Sequence, residues 1–256
     1  MVDMNQQVAL ISGGASGIGL ATAKKLIARG ASVWIGDIQE TQGEKVAAEI
    51  GAHYVHLDVT QESDWISAID QIKDQIKDQA GRLTQVVNNA GIGSLGNLES
   101  VTVEAFTNTL QVNLVGVFLG CKIAAPLMEQ SGGGSIVNVS SIFGMVSDQH
   151  AIAYSASKGG VRTMTKAIAL DLNARATGIR VNSIHPGFAD TPLVDGALAE
   201  FDAEEAEAFA LRTVGKTPMG VASPKQIARA IVFLLSEDSD YMTGSELVVD
   251  GGYTAQ

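Results

Sequence analysis

The run Val8-Ala9-Leu10-Ile11-Ser12-Gly13-Gly14-Ala15-Ser16-Gly17-Ile18-Gly19, leading into a helical segment over residues 20–29, decides the fold. Apolar side chains at successive positions from Val8 to Ile11 read as a strand covered on both faces. Glycines at 13, 17 and 19 permit a tight turn and let the backbone come close to a bound group. A helix that opens directly after such a turn presents unpaired N–H groups and positive potential, the features that hold a pyrophosphate. Gly30 stands where that helix would be capped.

Outward from this unit, Val- and Ile-rich runs recur at 32–37, 54–58, 85–89, 135–140, 181–185 and 247–250, with room for a crossover helix between them. The pattern predicts an α/β chain, one Rossmann-like domain over 1–256, with a doubly wound parallel sheet of about seven strands flanked by helices. No linker rich in Pro or Ser divides it, and 256 residues at 46% hydrophobic content suffice for one large core. The local repeat QIKDQIKDQ places Ile69, Ile72 and Ile76 at helical spacing and reads as one amphipathic surface helix closed by Gly81.

A net charge of −11 argues against a nucleic-acid partner, whose binding is led by Lys and Arg. Cys121 is the single cysteine, so no internal disulfide can form, and the start MVDMNQQ lacks the basic end and apolar stretch of a signal peptide. Cytoplasm is the expected compartment. The longest apolar stretch, 112–128, contains Asn113, Lys122 and Pro126, which favours a buried helix over a membrane span. His53, His56, His150 and His185 lack metal-ligand spacing and read as structural or surface residues.

Two features point to chemistry. Asp37 ends the second strand, where a carboxylate accepts hydrogen bonds from the adenosine ribose hydroxyls and repels a 2′-phosphate. Ile38 follows it and the glycine turn carries no Lys or Arg, so NAD is expected over NADP. Tyr154 and Lys158, in the stretch YSASK, lie one helical turn apart, and a fixed cation beside a phenol favours phenolate and lowers its pKa.

Taken together, Gly13-x-x-x-Gly17-x-Gly19, Asn88-Asn89-Ala90-Gly91, Ser141, Tyr154-x-x-x-Lys158 and Pro186-Gly187 resemble the short-chain dehydrogenase/reductase family from Val8 to Gly252. The usual first motif opens with Thr where this chain has Ser12. The resemblance implies direct hydride transfer without a metal. It makes Ser141 the hydrogen-bond donor to the substrate oxygen, with Ser140 as competitor. It makes Tyr154 the general acid or base, Lys158 the nicotinamide-ribose ligand that also depresses the tyrosine pKa, and Asn113 the holder of a relay water. As an alternative, Asn113 satisfies a backbone group within a buried helix. The implied cofactor contacts are Gly13, Ser16, Gly17, Ile18, Gly19, Asp37, Asp58, Val59, Asn89, Ala90, Gly91, Tyr154, Lys158, Pro186, Gly187, Phe188 and Thr191.

Within the family, the stretches Ile184-His185-Pro186-Gly187, Thr191-Pro192-Leu193-Val194-Asp195 and Arg212-Thr213 are most similar to (R)-specific secondary-alcohol dehydrogenases, or carbonyl reductases. Thr217-Pro218-Met219-Gly220 and the ending from Val248 to Gln256 carry the same likeness. That group implies a homotetramer, with Gln256 as a structural magnesium ligand. It uses NADP, from which Asp37 departs. Candidate pocket residues are Ile92, Gly93, Ser94, Leu95, Ile142, Phe143, Val146, Phe188, Leu193 and Val194, under a substrate lid over about 190–213. Two long apolar helical segments, about 104–130 and 151–176, are candidates for packing against symmetry mates. Three readings stay open here: an NAD-dependent dehydrogenase of hydrophobic alkyl or aryl ketones, a hydroxysteroid dehydrogenase, or a dinucleotide-binding regulator without turnover.

Overall fold

The computed structural model describes residues 4–79, 82–199 and 201–255. Strands β1 (Gln7–Ser12), β2 (Ser32–Asp37), β3 (His53–His56), β4 (Arg82–Asn88), β5 (Gly134–Val139), β6 (Ile179–Pro186) and β7 (Glu246–Val249) form one sheet in the order β3-β2-β1-β4-β5-β6-β7. Every pairing in it is parallel. The helices are α1 (Gly17–Ile27), α2 (Glu40–Ile50), α3 (Glu62–Gln79), α4 (Val103–Leu110), α5 (Gly116–Gln130), α6 (Ile152–Ala174), α7 (Pro192–Leu198), α8 (Ala203–Arg212) and α9 (Pro224–Leu235).

The unbroken apolar character of β1 is explained by cover on both faces. Val8 and Leu10 pack into one core with Trp65, Ile72, Leu119 and Leu172 of α3, α5 and α6. Ala9 and Ile11 pack into the other with Ala23, Leu26, Val46 and Ile231 of α1, α2 and α9. Sheet faces are thereby closed, and the order reverses between β1 and β4, opening a crevice at their carboxyl ends. A smaller third cluster, built on Ile142, Phe143, Ala151 and Phe209, lies away from both cores.

Some boundaries differ from the sequence pattern. The third strand ends at His56 instead of 58, because Asp58 turns the chain by accepting from Thr60 N–H at 2.9 Å and Thr60 Oγ1–H at 2.7 Å. The helix expected over 104–130 is interrupted by a π-helical turn, Gln111–Val115, that contains the buried Asn113. π turns insert an extra residue per turn and recur at functional sites. Val103–Gln130 is apolar enough to cross a membrane by length and composition, but half of its most apolar window is buried in this fold. Gly81 and Gln256 lie outside the described residues.

The approach of α5 to β4 depends on Gly120. A Cβ there would come within 2.7 Å of the Trp65 ring and 2.9 Å of Asn88 Cγ. Neither can yield readily, since Trp65 is fully buried and Asn88 is tied to Asn138 by a 2.8 Å hydrogen bond. Helix propensity favours Gly120→Ala by about 1 kcal/mol, whereas overpacking costs about 1–3 kcal/mol and more where neighbours are pinned. We expect the variant to melt about 3–8 °C lower; an unchanged melting temperature would mean that the helix moves off the sheet without penalty.

Candidate active site

A cleft of about 360 Å³ runs along the carboxyl edge of the sheet, lined in turn by the glycine turn, Asp37, Asp58, Val59, the segment after β4 and Lys158. Gly13 has φ +65°, and a Cβ on it would lie 2.8 Å from the Ala90 Cα. This is the close approach for which a glycine is needed. Gly13, Ser16, Gly17 and Ile18 line the cleft. Gly19 lies apart, packed beneath the turn against the Gly13 carbonyl. Ser16 precedes α1 in an extended conformation and makes no capping bond, so its side chain leaves the first-turn N–H groups uncapped. That geometry, with a carboxylate at the far end, fits a dinucleotide with its pyrophosphate at α1.

Ser12 closes the crevice from below. Its Oγ accepts from the N–H of Asn89 at 3.1 Å and of Ala90 at 3.2 Å, while Asn89 Nδ2 donates to the carbonyls of Ser12 and Gly13, both at 3.0 Å. Asn89, Ala90 and Gly91 line the cleft from this stapled position. Asp37 is buried and clamped: Oδ2 accepts from Ala15 N–H and Oδ1 from Gln39 N–H, each at 3.1 Å. Tyr54 donates to the Asp37 carbonyl at 2.8 Å. A carboxylate has about four acceptor positions, so two backbone bonds leave capacity for ribose hydroxyls.

Helix α6 sets Tyr154 and Lys158 on one face, with Lys158 Nζ 5.7 Å from the phenol ring centroid. Nζ donates to the Val139 carbonyl at 2.9 Å, and burial pushes this ammonium down to about 8. The Tyr154 phenol stands above its ordinary range because burial opposes its charge, while the Ser141 hydroxyl pulls in the opposite direction. The lowering expected from the Tyr–Lys spacing is therefore not the net result in the cofactor-free protein. Desolvation outweighs the pull of Ser141.

Ser140 and Ser141 separate cleanly. Ser140 Oγ donates to the Lys158 carbonyl at 2.8 Å, whereas Ser141 Oγ accepts from Phe143 N–H at 3.1 Å and keeps its own proton for another acceptor. The Ser141 carbonyl is held in turn by His185 Nδ1 at 3.1 Å. A carbonyl only accepts, so Nδ1 carries the proton and Nε2 accepts from Ser183 Oγ at 2.9 Å. Burial holds His185 below its ordinary value and hence neutral. The chain pattern gives no sign of this support, because the Ser141 carbonyl that His185 holds lies 44 residues away in the chain.

Asn113 uses both ends of its amide on one residue: Oδ1 accepts from Ile92 N–H at 2.8 Å and Nδ2 donates to Ile92 O at 3.0 Å. Nδ2 also lies 3.2 Å from Ser157 Oγ. These are backbone-satisfying contacts, yet a Cβ on Gly91 would sit 3.1 Å from Asn113 Oδ1 and 3.5 Å from Lys158 Nζ, so both border one small space.

A side pocket of about 90 Å³ opens beside Tyr154 and Ser141. Gly93, Ser94, Leu95, Ile142, Phe143, Phe188, Leu193 and Val194 line it, joined by Ala197, Leu198 and Phe209, whereas Ile92 borders the long cleft and Val146 is exposed outside both. Phe188 belongs to this pocket and not to the long cleft, which Pro186, Gly187 and Thr191 border. Its ring meets Phe143 at 5.9 Å, Phe209 at 6.4 Å and Tyr253 at 5.8 Å, each near edge-to-face. Tyr253 escaped the sequence reading because its turn, fixed by Asp250 bonds to Gly252 and Thr254, gives no periodic signal. Among the described residues no group of three His, Cys, Asp or Glu side chains is placed to hold a metal.

A family model described as enoyl-(acyl carrier protein) reductase matches residues 13–254. Cyclopentanol dehydrogenase of Comamonas testosteroni is 41% identical over 258 residues, covering 98% of each chain. The NADP-dependent (R)-specific alcohol dehydrogenase of Lentilactobacillus kefiri is 43% identical, covering 98% of this chain and 97% of its own. The 3-alpha-(or 20-beta)-hydroxysteroid dehydrogenase of Mycobacterium tuberculosis is 41% identical, covering 97% and 90%. With its glycine turn, Tyr–Lys helix and parallel sheet matched over nearly the full length, the chain belongs to the short-chain dehydrogenase/reductase family, oxidoreductases that work with a nicotinamide dinucleotide.

Proposed function

We propose that this protein interconverts compact hydrophobic secondary alcohols and their ketones, with Tyr154 as proton donor and acceptor and NAD(H) preferred to NADP(H). The observation that carries the reading is the convergence of the Tyr154 phenol and the Ser141 hydroxyl where the long cleft meets the apolar side pocket. The relatives' names, with cyclopentanol, hydroxysteroid and (R)-alcohol among them, support a secondary alcohol as the reacting group. The enoyl reductase description of the family model names a different reduction. A phenol and a hydroxyl at an alcohol oxygen suit the carbonyl chemistry better.

The nicotinamide supplies or accepts the hydride. The chain's own task is the proton. The Ser141 O–H, which acts on the Tyr154 phenol in the protein alone, is the donor to the substrate oxygen, and Tyr154 beside it passes a proton to that oxygen in reduction or takes one in oxidation. Burial resists phenolate and the Ser141 hydroxyl offsets part of that resistance, while the Lys158 ammonium, 5.7 Å from the ring centroid, is the cation assigned to developing charge. Asn113 would serve as the outer member, reached through the space it shares with Lys158.

Size separates the two enzymatic readings. The side pocket's 90 Å³ is below the ~150 Å³ cavity that takes one benzene ring, and Leu198 and Phe209 of α7 and α8 wall it, which supports compact substituents over a four-ring skeleton. The preference for NAD rests on Asp37 and on its neighbours Ile38 and Gln39, which add no cation to that end of the cleft. The reading extends to a homotetramer: Val103, Phe118 and Leu170 expose apolar surface on the long helices, which a second copy would cover.

Three outcomes are expected. NADH oxidation with a small ketone falls at least about 100-fold in Tyr154→Phe while NADH binding persists; a variant that keeps its rate removes the proton role from this residue. KM is lower for NADH than for NADPH, and Asp37→Ser narrows the ratio by about tenfold or more; a wild type that favours NADPH overturns the cofactor assignment. Lys158→Met changes stability in a pH-dependent way. At about pH 7 the wild type buries an ammonium that the unfolded chain keeps in water, a penalty relieved as pH rises from about 8 toward the ordinary lysine value of 10.5. Cofactor-free Lys158→Met should therefore be more stable than wild type by about 1–3 kcal/mol near pH 7, with the gap closing near pH 10. Denaturant titrations at both pH values measure it, and a gap that widens with pH contradicts the buried-charge account.

A further inference from the structure

The cover of the side pocket is tied to the segment between Ser141 and Tyr154 by one ionic cluster. Arg212, the last residue of α8, donates through Nε to Asp148 Oδ2 at 2.9 Å and through Nη2 to Asp148 Oδ1 at 3.2 Å. Asp148 lies between the short turn Ile142–Gly144 and α6, its side chain 9% exposed, against 34% for Arg212. His150 completes the cluster: its N–H donates to Asp148 Oδ1 at 3.0 Å, and its Nδ1 stands 3.0 Å from Arg212 Nη2.

Aromatic contacts carry this cluster toward the pocket. The His150 ring meets Phe201 edge-on at 5.5 Å, Phe201 meets Phe209 at 5.8 Å, and the Arg212 guanidinium lies 5.8 Å from the Phe209 ring centroid. Phe209 and Leu198 form part of the pocket's wall. Elsewhere on the pocket's lining, the His150 carbonyl accepts from Gly96 N–H at 2.7 Å, directly after Ser94 and Leu95. That backbone bond, with the Gly96–Ala151 bridge beside it, fixes both parts of the lining to the same segment. Burial works against charge on Asp148, and its bonds from Arg212 and His150 outweigh it, holding the carboxyl below its ordinary value.

We propose that the Asp148–Arg212 ion pair is a specificity-determining clasp that holds α8 down over the side pocket and so restricts the substrate to compact substituents. The inference rests on the assignment of that pocket to the groups flanking the reacting carbon. A bidentate pair whose carboxylate is buried and whose guanidinium stays one-third exposed is geometrically exacting, and loss of Arg212 strands the Asp148 charge. Neither residue lies among those lining the cleft or the pocket, so both act through Phe201, Phe209 and the α8 backbone. They are positioning residues.

The test compares cyclopentanone with 2-acetylnaphthalene, using whichever of NADH or NADPH the wild type oxidises, in Arg212→Gln, Arg212→Lys, Asp148→Asn and the double variant Asp148→Asn with Arg212→Gln. We expect Arg212→Gln to raise KM for cyclopentanone about tenfold with kcat within about twofold, and to shift the compact-to-bulky ratio of kcat/KM about tenfold toward the bulky ketone. Arg212→Lys should fall between, since it keeps the charge and loses the fork. The double variant should be no worse than the worse single, as expected for two groups that act through each other. Effects that multiply, or an unchanged size ratio in folded Arg212→Gln, overturn the clasp. Leu198→Ala, which widens the pocket directly, separates the two ideas. If it shifts the ratio and Arg212→Gln does not, the clasp alone falls; if neither shifts it, the pocket assignment falls and the clasp with it.

Discussion

A parallel sheet covered by helices on both faces directs its chemistry to the carboxyl ends of its strands, and that constraint organises the rest of this molecule. With Val8 and Leu10 committed to one core and Ala9 and Ile11 to the other, β1 has no side chain to spare before Ser12. The first polar residue after that apolar run is therefore also the first that reaches the crevice. Its hydroxyl takes two N–H groups from the segment after β4, so the edges of β1 and β4 meet at a fixed spacing. Asp37 repeats the arrangement at the end of β2, where it takes one N–H from the glycine turn. The crevice is held by backbone bonds from its own rim, independent of any ligand.

The same burial sets the electrostatics. Tyr154 and Lys158 lie where water is scarce, so each is displaced toward its neutral form: the phenol upward and the ammonium downward. The Val139 carbonyl compensates the ammonium in part. Such a site is costly to form and strongly responsive to added charge, because any charge entering it acts through a low dielectric. The Ser141 hydroxyl, oriented through its own carbonyl by a neutral His185, adds a proton donor without adding charge.

What the sequence made legible were features confined to one element. The glycine turn, the carboxylate at the end of β2 and the Tyr–Lys pair each depend on a spacing of a few residues, and successive apolar positions report a strand buried twice. Direction of charge was not legible from spacing. Tyr154 and Lys158 are neighbours as expected, yet burial decides the sign for the phenol, and burial is set by elements far away in the chain. The π turn at Asn113 was hidden for a related reason: its partner is the Ile92 backbone, 21 residues earlier, and a continuous apolar run looks the same with or without the inserted residue. Asp148 and Arg212 are 64 residues apart and lie on segments with no shared periodicity. Pairs of that kind come from tertiary packing alone.

The three hydrophobic clusters divide the work between stability and selectivity. The two large ones hold the sheet from either face and contain the side chains whose loss would leave cavities in a rigid interior. The third contains Phe143, Phe209 and Ile142 with Phe188, Leu198 and Tyr253 packed against them, and it lies around the side pocket, meeting the sheet through Val248 of β7. Its aromatic rings meet edge-to-face, so a change of one ring is felt first by its ring neighbours around the pocket. Changes there alter the shape offered to a substrate at little expense to the sheet. Tyr154 and Ser141 stand at the border of that adaptable cluster and the fixed crevice, so the proton-transfer geometry stays constant while the pocket around the reacting carbon is free to vary.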